Sequence, residues 1–165
     1  MAPMLPSDKL RPCLLDRLTD HAPHRRKEGR DERVMSMRQY REAVLRDLRW
    51  LLNCSNRESD DDITSFEEVD RSVINYGIPD LTGVPASSIK VGAVAQRIVR
   101  AIKLCEPRIL PNTLRVIPQA DADSFTGNAL SFRIEGELWA QPFNEKLLLK
   151  TDVDLETGEF DVSEG

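Results

Sequence analysis

From Met37 to Leu52 the apolar residues recur every three or four positions. Met37, Tyr40, Val44, Leu48, Leu51 and Leu52 fall on one side of a helix, and Arg38, Arg41, Glu42, Arg46 and Asp47 on the other. Ser36 and Gln39 form a Ser-x-x-Gln pair that satisfies the first amides of such a helix, and Asn53 with the polar run 55–62 ends it. A second helix is predicted from Ser65, with Glu68 completing another capping pair and Val69, Val73 and Ile74 as its apolar face. Gly77 suits the left-handed position beyond a helix end, and Pro79 prevents continuation. Tyr76 and Ile78 are expected to pack on the first helix, and Trp50 to lie in or beside the core. After a turn-rich stretch, Ser88 to Cys105 carries the stripe Val91, Val94, Ala95, Ile98, Ile102 and Cys105, and Pro107 stops it.

Beyond Pro107 the period shortens to two. Leu114 and Val116 suggest one strand, and Leu130, Phe132, Ile134 and Leu138 alternate with polar residues in a second. Leu147 opens a third that continues through Leu155. Residues 156–159 then form a hairpin turn leading to Phe160 and Val162. Helices followed by strands predict an α+β fold, its N-terminal helices packed on a small antiparallel, or mixed, C-terminal sheet. Residues 1–35, broken by Pro3, Pro6, Pro12 and Pro23, read as a tail, and 36–162 as one domain. Within the tail only Leu14, Leu15 and Leu18 share a side of a short amphipathic piece.

With 165 residues, 40% hydrophobic and 31% charged, the chain has the composition of a globular protein with a real core. It has no apolar run of bilayer length and no leader-like start, so a cytoplasmic protein is expected. The net charge of −5 is uneven: residues 1–50 hold 12 Lys/Arg against 8 Asp/Glu, and residues 120–165 hold 3 against 11. The acidic end argues against a nucleic-acid surface there and suits a basic partner.

Candidate chemistry is sparse. Cys13, Cys54 and Cys105 form no C-x-x-C pair, and Cys105 reads as a small core residue. Both histidines, His21 and His24, lie in the Pro-broken tail, where no rigid partner could orient them for catalysis. The Asp60-Asp61-Asp62 run lacks the glycine and closing glutamate of a calcium loop. Glu135 and Glu137 could form the carboxylate pair of a glycosidase, yet alternate acidic residues on a strand are more simply its wet face. No metal, cofactor or catalytic residue is expected.

Three stretches, YREAVLRDLRWLLN from Tyr40, RSVINYGIPDLT from Arg71 and IVRAIKLCEPR from Ile98, precede the strand-rich tail LLLKTDVDLETGEFDV. In order and spacing they resemble the gene-25-like (GPW) family of baseplate wedge proteins across residues 10–162. The family includes wedge proteins of phage tails and the TssE subunits of type VI secretion, and carries a historical "lysozyme-related" label. The opening Leu14-Leu15-Asp16-Arg17-Leu18 is similar to that of the type VI members; a phage-like contractile tail is the alternative, and a peptidoglycan-cleaving enzyme the alternative of another class.

The resemblance implies a structural role in a cytoplasmic baseplate docked at the inner membrane. Its implied partners are the wedge proteins TssF and TssG, TssK nearby, and the sheath subunits TssB/TssC. It also implies that Glu106, Pro107 and Arg108 contact the helical bundle of the larger wedge subunits; pairing of Glu106 with Arg108 inside the domain is the other reading. Sheath strands would add at an open sheet edge, and the acidic residues Asp152, Asp154 and Glu156 would favour a basic strand there.

Overall fold

The computed structural model describes residues 10, 12–19, 23–24, 35–57, 63–85, 88–119, 129–140 and 143–165. Asp60-Asp61-Asp62, His21, the basic run 25–27 and residues 1–9 lie outside them. The helices are α1 (Leu14–Leu18), α2 (Met37–Leu52), α3 (Glu67–Asp70) and α4 (Val91–Cys105). The strands β1 (Arg115–Gln119), β2 (Ala129–Leu138), β3 (Glu145–Asp154) and β4 (Phe160–Glu164) form one antiparallel sheet in the order β1-β2-β3-β4. This is the expected α+β arrangement.

The helix α2 starts as its sequence predicts. Ser36 Oγ accepts from the Gln39 amide at 3.2 Å, and the Gln39 side chain accepts from the Ser36 amide at 2.9 Å. Its buried stripe of Tyr40, Val44, Leu48, Leu51 and Leu52 meets Ile98 and Ile102 of α4 and one face of the sheet. Register explains that face: Phe132 pairs with Thr151, Ile134 with Leu149 and Gly136 with Leu147, and all but the glycine are fully or almost fully buried. Each buried aliphatic side chain contributes roughly 1.5–3 kcal/mol.

The expected helix from Ser65 breaks into short turns. Ile63–Ser65 and Val73–Asn75 are 3₁₀ turns, α3 has four residues, and its N-cap is Phe66 without a side-chain cap. Ser72 is the cause: its hydroxyl donates to the Val69 carbonyl and accepts from the Ile74 amide, diverting the backbone from the helical ladder. The expected apolar face also finds no core, since Val73 is 86% and Ile74 61% exposed. A short helix without a packed face does not propagate.

Among the described residues no helix is long and apolar enough to cross a membrane.

Candidate interaction site

Where α4 ends, the chain turns a corner at Glu106, Pro107 and Arg108. The corner is stitched to the end of β2: the Trp139 amide donates to the Arg108 carbonyl at 2.8 Å, and the Leu110 amide to the Glu137 carbonyl at 2.9 Å. Glu106 is only 4% exposed, an unusual place for a carboxylate unless it is paired. Arg108 supplies the pairing. Its Nε donates to Glu106 Oε1 at 2.6 Å, and its Nη2 contacts both Glu106 Oε2 and, at 2.5 Å, Asp47 Oδ2 on α2. Burial works against the Arg108 charge, but the two carboxylates outweigh it and raise its pKa above that of free arginine. Glu106 and Arg108 thus bind each other, and Asp47 is a third member that the sequence reading left on the polar side of its helix.

This cluster heads a groove of about 640 Å³. Tyr40, Trp50 and Leu51 of α2, Tyr76, Cys105 and Trp139 line it with the corner, together with Leu10 and Cys13. Trp50, expected in or beside the core, is 52% exposed and stands on the lip, with the Arg46 guanidinium 5.2 Å from its ring centre; Trp139 is 47% exposed. Tyr40 donates to the Trp139 carbonyl at 3.1 Å. Tyr76 and Ile78 are half-buried and buried.

The groove's lining is poor in reactive groups. No histidine lines it. Burial, helped by the Glu106 charge, pushes the Cys105 thiol pKa up, away from the thiolate a nucleophile requires. Both oxygens of Glu106 are engaged by Arg108, so neither is poised to give a proton. Among the described residues no three His, Cys, Asp or Glu side chains gather to hold a metal.

The acidic strands are placed differently from expectation. Asp152 and Asp154 lie on β3, which has β2 on one side and β4 on the other. Asp152 accepts from the Ser131 hydroxyl at 2.5 Å, and Asp154 accepts from the Glu156 amide at 2.7 Å, fixing the turn that carries Glu156. Among the described residues β4 covers β3 from Leu149 to Val153, and α2 in turn occupies part of the outer side of β4. The Phe160 amide donates to Asn53 Oδ1, while Asn53 Nδ2 donates to the Phe160 carbonyl and Arg49 Nε to the Val162 carbonyl, each at 2.9 Å. At Asp152, which pairs with Ser131 on one side and Asp161 on the other, both sides of the strand are already taken.

The remaining edge is β1. Glu137 directs its amide to Thr113 Oγ1 and its carbonyl to the Leu110 amide, so alternation turns the backbone of Ser131, Arg133 and Glu135 toward β1. Their partners Gln119, Ile117 and Arg115 face inward, leaving Val116 and Pro118 facing out. Among the described residues no hydrogen bond reaches that outer side.

The site is thus a helix-and-sheet domain's mostly apolar groove, headed by a cluster of paired ions. Residues 38–143 match the family described as baseplate wedge protein gp25, and the chain belongs to that family. No curated protein and no solved structure matches it.

Proposed function

We propose that this chain is the gene-25-like wedge subunit of a type VI secretion baseplate, a non-catalytic connector between the larger wedge proteins and the base of the contractile sheath. The observation that carries the reading is the groove at Glu106, Pro107 and Arg108. Its exposed tryptophans can enter a partner's helical bundle, and each charged group of the corner beneath them already has a partner of opposite sign, so docking leaves no buried charge unpaired. TssF and TssG are the partners proposed for the groove, with TssK nearby. A strand of TssB/TssC is proposed to add along β1, the edge left open among the described residues. On this reading the protein works in the cytoplasm, in an assembly docked at the inner membrane. The family match also accommodates the equivalent subunit of a phage-like contractile tail.

The test is co-expression with TssF and TssG from the same genome, followed by affinity purification. The wild-type chain is expected to co-purify. Trp139→Ser, which alters an exposed side chain and leaves the backbone carbonyl for Tyr40, is expected to lower recovery about 10-fold or more with an unchanged melting temperature. Failure of the wild-type chain to co-purify, or clearing of purified cell wall by it, overturns the reading.

A further inference from the structure

The corner cluster does not end at Asp47. Asp47 divides its oxygens, giving Oδ2 to Arg108 and accepting on Oδ1 from Arg46 Nε at 2.9 Å. Arg46 reaches on with Nη1 to Asp16 Oδ1 of α1 at 2.6 Å. Asp16 also accepts from the Cys13 thiol at 2.9 Å. Five side chains of alternating sign, Asp16, Arg46, Asp47, Arg108 and Glu106, thus run unbroken from the N-terminal segment to the corner. Their side-chain exposures range from 33% at Arg46 to 5% at Glu106, so solvent and salt screen the row less than an exposed ion pair.

Among the described residues the segment at the near end has few other attachments. α1 has five residues and buries none of them; Leu14, Leu15 and Leu18 all point to solvent. A helix of that length is not stable alone. Among the described residues its attachments are Leu10, which is buried and whose carbonyl accepts from the Met35 amide, the Asp16–Arg46 pair, and Arg46 Nη2 donating to Cys13 Sγ at 4.0 Å. Leu10 and Cys13 nevertheless line the groove.

We propose that Leu10 and residues 12–19 act as a strap that builds one wall of the corner groove, held in place by the relay from Asp16 to Glu106. Asp16 and Arg46 are positioning residues: neither lines the groove, yet both set the place of side chains that do. The interior members each serve two partners. Weakening Arg108 at the far end leaves Asp47 to take Arg46 with both oxygens, and Arg46 then loosens its hold on Asp16. Strap docking and the state of the corner report on each other across the width of α2.

The experiment uses the free full-length chain, so its outcome is separate from that of the partner assay. Alkylation of each cysteine by iodoacetamide is followed by peptide mass spectrometry, with exposed Cys54 as the internal reference. Arg108→Lys keeps the charge and loses the two-carboxylate fork. It is expected to speed Cys13 labelling at least about 5-fold relative to Cys54. Emission from the two tryptophans, both of which line the groove, is expected to shift to the red. Glu106→Gln keeps the side-chain shape and frees Arg108 to hold Asp47 more tightly; Asp47 then releases Arg46 to Asp16, and Cys13 labelling is expected to slow. Unchanged Cys13 labelling in both variants overturns the proposal, as does a loss of helical circular dichroism in step with the labelling, which marks general unfolding.

Discussion

Gly77 has φ +113°, and a Cβ there would lie 2.0 Å from the carbonyl oxygen of Cys54. That oxygen is already used: the Ile78 amide donates to it at 2.9 Å, and the Asn56 amide returns a bond to the Ile78 carbonyl. Gly77→Ala therefore collides with a bond that ties the end of α2 to the connection toward α4. The expected loss is roughly 3 kcal/mol, measured as a lowered midpoint in urea denaturation. The need for glycine at this position was legible in the sequence, because Asn-Tyr-Gly-Ile-Pro signals a turn; the neighbour that enforces it, 23 positions earlier, was not. The same limit applies at the corner. Glu106, Pro107 and Arg108 were singled out from sequence, but periodicity assigned Asp47 and Arg46 only to the polar side of a helix. Which polar residues pair is decided by how elements cross, and one helix's pattern carries no information about that.

The elements with a strong period came through well. α2 carries the predicted capping box, α4 the predicted stripe, and the strands lie within about two residues of their alternating runs, the uncertainty of any boundary. The helix expected from Ser65 failed because its capping signal was local, whereas its fate depended on a face that meets no core. Edges were the least legible feature: alternation identifies a strand, not its neighbours. Asn53 shows the consequence, since the residue expected to end α2 also pairs with both backbone groups of Phe160. Asn53→Ala leaves those groups without their partner, and a loss of about 1–3 kcal/mol in thermal or chemical unfolding is expected. It also bares part of β4, so concentration-dependent self-association in sedimentation is the second expected readout.

Across the whole molecule, the contrast between a basic N-terminal part and an acidic C-terminal part is partly consumed by the fold. Arg41 of α2 bridges Glu145 at 2.6 Å and Glu164 at 2.7 Å, binding helix to sheet and reducing the charge left for a partner. The groove sets a different dependence on conditions. Burial, with Cys105, Cys54, Asp47 and Glu106 adding to it, pushes the Tyr76 pKa up to about 12, and burial raises Tyr40 as well. An unfolded tyrosine loses its proton near its ordinary value of about 10. The stabilising contribution is thus complete below that pH and is lost as pH rises through about 12. Phenolate absorbance is expected to appear later than in the unfolded chain, with the melting temperature falling over the same interval. Titration at the ordinary value, without loss of stability, would contradict the burial of both rings.

The sheet is asymmetric. Asn53 and Arg49 occupy part of the outer side of β4, whereas β1 turns outward one amide, that of Val116, beside the amide-less Pro118. If a neighbour's strand adds along β1, as proposed, the row that starts there can grow in one direction only.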